Sequence, residues 1–123
     1  MKDNKSLLFV DDEEEILEIL VDLFTDEGYQ LHTATSAVQA KNIIDKHPVD
    51  FILSDLRLPD GSGSELLNHI QEKHPKTVRV LTSGYMDLQF GRVAVDRKNG
   101  TFYVSKPWDL MTLKQLVSDQ LGQ

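Results

Sequence analysis

The stretch that decides the fold runs from Phe51 to Gly61 and reads FILSDLRLPDG. Its apolar start leads through a serine into Asp55, and Pro59 and Gly61 then interrupt any regular element. This order is typical of a buried strand that ends at a carboxylate and continues as a loop. A carboxylate at the end of a buried strand is either held by a partner or used for chemistry. The rest of the chain favours chemistry.

The composition indicates one globular domain and excludes several kinds of protein. The chain has 123 residues, of which 40% are hydrophobic and 27% charged, enough for a single core. It has no cysteine, which excludes disulfides, thiolate zinc sites and a cysteine nucleophile. A net charge of -7 argues against direct nucleic-acid binding by this domain. Since neither a signal peptide nor an apolar run of roughly 20 residues is found, we expect a cytoplasmic protein without membrane contact.

Short apolar runs alternate with segments of helical periodicity along the chain. The predicted strands cover residues 5–10, 29–34, 49–54, 78–81 and 101–105. Helices are predicted after the first four strands and from Leu110 to Leu121. The weakest lies within residues 85–98, where Met86, Phe90 and Val93 suit one face but Gly91 intervenes. The pattern predicts a flavodoxin-like, doubly wound (βα)5 sandwich with a five-stranded parallel sheet of order 2-1-3-4-5.

Unusual polar residues stand at the carboxyl ends of four predicted strands. They are Asp11 and Asp12, Asp55, Thr82 and Ser83, and Lys106. In an open parallel sheet ligands bind beyond these ends, and the order 2-1-3-4-5 makes the four ends neighbours. That order is one of two common ones, and it would bring three carboxylates, a hydroxyl and an ammonium group into one site.

This set of groups suits a metal ion and a phosphoryl group. Three carboxylates repel one another, and a hard divalent cation relieves the repulsion. Oxygen-only ligands favour Mg²⁺, Mn²⁺ or Ca²⁺ over zinc, and a site with few carboxylates and room for waters and phosphate oxygens suits Mg²⁺ in particular. A hydroxyl and an ammonium group supply a hydrogen-bond donor and a positive charge to phosphoryl oxygens. Asp55 is the most central acid, so it is the best candidate nucleophile for an aspartyl phosphate.

At these residues the chain resembles the receiver domain of two-component response regulators. The motifs are the acidic pair Asp11-Asp12, Asp55 with Pro59 and Gly63, Thr82 with Ser83, Lys106-Pro107, and Tyr103. The resemblance covers essentially the whole chain, and the motifs follow in the family's order. Residues 1–123 are therefore expected to form a single receiver domain, either complete or cut from a longer response regulator.

The resemblance implies a function in a two-component phosphorelay. Asp55 would accept a phosphoryl group from a histidine kinase or phosphotransfer protein, with Mg²⁺ held by Asp11, Asp12, Asp55 and the backbone carbonyl of Arg57. Thr82, Ser83 and Lys106 would bind the phosphoryl group. Tyr103 would help to switch the face of helix 4, strand 5 and helix 5 toward an effector, a fused output domain or a second copy. The domain would catalyse only its own phosphorylation and dephosphorylation.

Two positions depart from the family pattern in ways that bear on the lifetime of the phosphoryl group. Arg57 is a cation where an acid or amide would assist hydrolysis, and Gly84 has no side chain to orient an attacking water. Slow self-dephosphorylation is the expected consequence.

Three other functions compete with this interpretation. A phosphatase or phosphotransferase with an aspartyl intermediate would need a second acid near Asp55 and a cap, but Leu56 and Arg57 follow. A flavin or nucleotide carrier would need a phosphate-binding loop after the first strand, where acids stand instead. The remaining alternative is a phosphorylation-independent receiver that acts as a protein-interaction module.

Overall fold

The computed structural model describes residues 5–84 and 93–122. The helices are α1 (Glu14–Phe24), α2 (Ala37–Lys46), α3 (Gly63–Lys73) and α4 (Leu110–Leu121), with a 3-10 turn at Thr25–Glu27. The strands are β1 (Ser6–Val10), β2 (Gln30–Ala34), β3 (Phe51–Asp55), β4 (Arg57–Leu58), β5 (Gly61–Ser62), β6 (Val78–Ser83), β7 (Val93–Asp96) and β8 (Thr101–Ser105). No helix within these ranges is both long and apolar enough to cross a bilayer.

The main sheet confirms the predicted fold and adds one strand to it. Its order is β2-β1-β3-β6-β8-β7. The first five strands pair in parallel, which is the predicted order 2-1-3-4-5. The sixth, β7, pairs antiparallel with β8 at the edge. The short strands β4 and β5 form a separate antiparallel pair.

The predicted helix within residues 85–98 is wrong at its C-terminal end, where β7 occupies Val93–Asp96. Two β-branched valines favour a strand here, and a tight turn at residues 97–100 returns the chain into β8. Gly100 supplies the positive φ of 75° that this turn requires. The face predicted from helix 4, strand 5 and helix 5 therefore contains a strand at residues 93–96. Met86, Phe90 and Gly91 lie outside the described residues.

Two apolar cores cover the two faces of the sheet. One, the α1/α4 core, joins α1 and α4 to the sheet and includes Phe9, Phe24, Leu53 and Val104. The other, the α2/α3 core, joins α2 and α3 to the sheet through residues such as Ile52 and Leu81. Since neighbouring residues of a strand project to opposite faces, these two cores fix which face each strand-end side chain joins.

Serine caps begin the two helices of the α2/α3 face. The Ser36 side chain accepts a hydrogen bond from the backbone N–H of Gln39. Ser62 and Glu65 form a complete capping box at the start of α3. These caps fix the directions in which α2 and α3 leave the carboxyl edge of the sheet.

Acidification is expected to destabilise the fold in part through His32. The Nε2 atom of His32 is buried and has no hydrogen-bond partner within residues 5–84 and 93–122, and its ring stacks on that of His47 with centroids 5.2 Å apart. Burial, with a further contribution from His47, lowers the pKa of His32 below its usual value of 6.5. The unfolded chain therefore binds this proton more readily than the folded protein does. The stability that neutral His32 contributes is fully present above the pKa of histidine in the unfolded chain, and it is lost as the pH falls from there through the lower pKa of the folded protein.

Urea unfolding at several pH values between about 7 and 5 measures this effect, since that window spans the ordinary histidine pKa. We expect the free energy of unfolding to fall with pH in the wild type and to fall less steeply in a His32→Phe variant. Equal slopes in the two proteins would contradict this role of His32.

Candidate metal centre

The strand ends bring the predicted polar residues together on the α1/α4 face. Phe9, Leu53, Val80 and Val104 belong to the α1/α4 core. Two residues after each of these, Asp55 and Thr82 stand on β3 and β6, and Asp11 and Lys106 stand one residue beyond the ends of β1 and β8, where backbone pairing continues. Because side chains alternate, all four project from the same face of the sheet. Asp55 and Thr82 are also direct partners in the register of β3 and β6.

Three carboxylates form the acidic part of this site. Asp11, Asp12 and Asp55 each offer one oxygen, and these oxygens all lie within 4.8 Å of one another. Asp11 is only 2% exposed, and its Oδ1 accepts a hydrogen bond of 2.9 Å from the backbone N–H of Glu13. The oxygen-only donor set and the partly exposed geometry fit a hard cation such as Mg²⁺ that keeps some of its waters.

Lys106 supplies the positive charge at the centre of the site. Its Nζ lies 2.8 Å from Oδ2 of Asp11 and 3.4 Å from Oδ1 of Asp55. Burial acts to lower the pKa of Lys106, but the hydrogen bond and charge of Asp11, together with Asp55, outweigh it and the pKa is raised. Burial raises the pKa of Asp55, Lys106 opposes the rise, and the charge of Asp11 adds to it. The charged form of the lysine is thus favoured, whereas the surroundings of Asp55 disfavour its carboxylate form.

The loop after Asp55 is held in place by backbone contacts. Leu56 donates its N–H to the carbonyl of Thr82 at 2.9 Å and accepts a hydrogen bond of 2.7 Å from the N–H of Gly63. Between them, β4 and β5 pair Arg57 with Ser62. Gly63 comes so close to the Asp55 carbonyl oxygen that a Cβ atom at this position would overlap it.

Asp60 ties the same loop to α2. Its two carboxylate oxygens accept hydrogen bonds from the backbone N–H groups of Ala37 and Val38, at 2.8 and 3.0 Å. These two hydrogen bonds lower the pKa of Asp60. Sequence reasoning missed this contact because an aspartate before a glycine is equally typical of a turn.

A cleft of about 390 Å³ opens beside Asp55. It is lined by Glu13, Asp55, Arg57, Ser83, Gly84 and Lys106. The structure thus places both positions expected to control dephosphorylation, Arg57 and Gly84, next to Asp55. A Cβ atom on Gly84 would meet no atom of residues 5–84 and 93–122 within 4 Å, so this part of the chain leaves room for a side chain.

Thr82 and Tyr103 lie in different surroundings. Thr82 is 1% exposed, and its Oγ1 accepts a hydrogen bond of 2.8 Å from the indole Nε1–H of Trp108. Tyr103 is half-buried and packs against the α2/α3 core. Tyr103 is therefore not among the residues that line the cleft, and the contact between Trp108 and Thr82 was not predicted.

The comparison with protein families and curated proteins points to one kind of domain. The family model for the response regulator receiver domain matches residues 7–118. The chain is 36% identical over 115 residues to the response regulator protein PilR of Pseudomonas aeruginosa, which covers 93% of this chain and 25% of PilR. It is 35% identical over 106 residues to the photosynthetic apparatus regulatory protein RegA of Cereibacter sphaeroides, which covers 86% of this chain and 57% of RegA. The chain thus spans between a quarter and somewhat over half of these relatives.

Solved structures show the same fold. The signal receiver domain of an HD domain-containing protein from Pseudomonas fluorescens superposes with a TM-score of 0.83 at 30% identity, covering 99% of this chain and 90% of that one. The beryllofluoride-activated NtrC4 receiver domain dimer superposes with a TM-score of 0.81 at 26% identity, covering 99% and 98%. Both similarities extend over nearly the whole chain.

Proposed function

The chain belongs to the family of response regulator receiver domains of two-component systems, and from this premise we propose that Asp55 accepts a phosphoryl group. The donor is a phosphohistidine of a sensor histidine kinase or phosphotransfer protein. The observation that carries the proposal is the convergence of Asp11, Asp12, Asp55 and Lys106 at one sheet edge. Residues 1–123 act as one receiver unit.

In the proposed reaction, a carboxylate oxygen of Asp55 forms a bond to phosphorus while the bond from phosphorus to the histidine nitrogen breaks. The imidazole of the donor keeps the electron pair of the broken bond. Asp55 is suited to attack because it stands at the cleft, ends a rigid strand and is held by β3–β6 pairing. The acyl phosphate that results stays attached to the sheet edge.

The other residues of the site hold and neutralise the transferred group. Asp11, Asp12 and Asp55, with the backbone carbonyl of Arg57, would hold Mg²⁺, with Mn²⁺ as a substitute, and this ion would neutralise charge on the phosphoryl oxygens. The Lys106 ammonium is already 3.4 Å from Asp55 and supplies a second positive charge. Thr82, aided by Ser83, donates a hydroxyl hydrogen bond to a phosphoryl oxygen.

The output of the switch is a change of protein surface. Movement of Thr82 would be transmitted to β8 and Tyr103, and from there to the surface of β7, β8 and α4. A downstream effector, a fused output domain or a second copy of the domain would read this surface. We assign no nucleic-acid or membrane contact to the domain itself and place it in the cytoplasm. It is a signalling domain whose only catalysis is its own phosphorylation and dephosphorylation.

Intact-mass spectrometry after incubation with acetyl phosphate and Mg²⁺ tests the proposal. A gain of one phosphoryl group, about 80 Da, is expected for this carboxylate chemistry, with no gain when EDTA replaces the metal. A folded wild-type protein that gains no mass with Mg²⁺ would instead favour a phosphorylation-independent interaction module.

The acyl phosphate is expected to be long-lived. Arg57 is a cation and Gly84 bears no side chain, so neither offers an acid or amide that would orient an attacking water. We expect a half-life of minutes or longer without a phosphatase, followed by the decay of the added mass. Gly84→Asn, for which the described part of the chain leaves room, should shorten the half-life, whereas Gly84→Ala should not. A wild-type half-life of seconds would contradict this expectation.

A further inference from the structure

The sole tryptophan of the chain is bonded to the proposed switch hydroxyl. Trp108 donates its indole N–H to Oγ1 of Thr82 at 2.8 Å, and its ring lies 5.6 Å from Nζ of Lys106. Trp108 immediately precedes Asp109, whose side chain caps α4 by accepting the N–H of Met111. One indole thus connects the start of α4 to the hydroxyl beside Asp55.

The sheet order places Trp108 and Asp55 on opposite sides of Thr82. Thr82 stands on β6, between β3, which ends at Asp55, and β8, which leads to Trp108. A threonine hydroxyl occupies one of three staggered positions, so it faces one neighbour at a time. The structure shows it bonded to the indole on the β8 side, although Asp55 is its direct register partner on β3.

We propose that Trp108 is a positioning residue that holds the Thr82 hydroxyl in its resting orientation. The hydroxyl reaches a phosphoryl group on Asp55 only after leaving the indole. This inference rests on the proposed function. Trp108 would therefore oppose activation, because its hydrogen bond to Thr82 must break before the Thr82 hydroxyl can turn toward Asp55. Breaking this hydrogen bond also releases the indole at the start of α4.

Packing alone does not account for this contact. The Trp108 ring packs against the α1/α4 core, a role that any large aromatic ring can fill. Only the indole supplies an N–H at this place, and phenylalanine would keep the ring without the donor. Trp108→Phe therefore separates the hydrogen bond from the packing.

The test compares binding of beryllofluoride, a mimic of the phosphoryl group, to the wild type and to Trp108→Phe in the presence of Mg²⁺. Calorimetric titration should show about twofold to tenfold tighter binding to Trp108→Phe, the factor that corresponds to one net hydrogen bond. The same comparison in a Thr82→Ala background is the control, because Trp108 has no hydroxyl to hold there. The gain should disappear in that background, as expected for two residues that act through one contact.

Unchanged or weaker binding to Trp108→Phe would overturn the inference, and so would an equal gain in the Thr82→Ala background. If folded wild-type protein bound no beryllofluoride, the proposed function itself would fail and the inference with it. A second measurement needs no variant. The single indole N–H resonance of the wild type should move to the position of an unbonded indole when beryllofluoride and Mg²⁺ are added, and an unmoved resonance would overturn the inference.

Discussion

Replacement of Asp55 by asparagine is expected to abolish phosphoryl acceptance completely. The amide that replaces the carboxylate is not a nucleophile for phosphorus at neutral pH, and the other two acids lie at different strand positions. Intact mass after incubation with acetyl phosphate and Mg²⁺ should show no added phosphoryl group on Asp55→Asn. Asp22→Asn, which changes an exposed acid of α1, is the matched control and should gain mass like the wild type.

The same substitution should stabilise the metal-free protein. Burial and repulsion by Asp11 raise the pKa of Asp55, one of the three clustered acids, by more than Lys106 lowers it. Removing one of three clustered charges relieves this repulsion, and we expect a gain of about 1 kcal/mol, typical where function is built on a strained site. Urea unfolding in EDTA measures it. A loss of stability, or an equal gain in Asp22→Asn, would contradict the electrostatic account of the site.

Replacement of Gly63 by alanine is expected to have the largest effect on stability. Its Cβ atom would overlap the carbonyl oxygen of Asp55 and lie 2.9 Å from Cδ1 of Leu81. Alanine would gain up to about 1 kcal/mol from helix propensity at the start of α3. Overlap with a backbone atom, which cannot move aside as a flexible side chain can, should outweigh this gain and give a net loss of about 3 kcal/mol. The displaced carbonyl would also shift Asp55.

The matched control for this prediction is Gly84→Ala, at a glycine whose Cβ position has no neighbour within 4 Å among the described residues. Urea unfolding of the two variants should show a large loss for Gly63→Ala and a change within about 0.5 kcal/mol for Gly84→Ala. Similar losses of stability in both variants would contradict the claim that position 63 requires glycine because of its close approach to the Asp55 carbonyl.

Much of the fold could be predicted because local patterns and the sheet agree. The apolar runs predicted as strands at residues 5–10, 49–54 and 78–81 correspond to β1, β3 and β6, and helix periodicity places α1 and α4 correctly. The exception is β7, where a weak helical pattern was predicted. The structure has a strand containing Val93 and Val95 instead, in a hairpin whose turn ends at Gly100. There the decisive contact is pairing with β8, which no local periodicity encodes.

The strand-end residues could also be predicted, but their contacts could not. Parallel sheet order places Asp11, Asp55, Thr82 and Lys106 at one edge, whatever their rotamers. That Lys106 lies nearer to Asp11 than to Asp55 depends on side-chain packing. The hydrogen bond from Trp108 to Thr82 joins residues 26 apart in the chain, and it depends on the side-chain conformations of both residues at the ends of β6 and β8.

The central claim is that Asp55 is the residue that carries the phosphoryl group. It is tested most directly by treating the wild-type protein with acetyl phosphate and Mg²⁺, digesting it in acid, and locating the added phosphoryl group by peptide mass. The account predicts that the group lies on the peptide containing Asp55 and that the corresponding Asp55→Asn peptide is unmodified. A phosphoryl group on any other peptide, or its persistence in Asp55→Asn, would contradict the account.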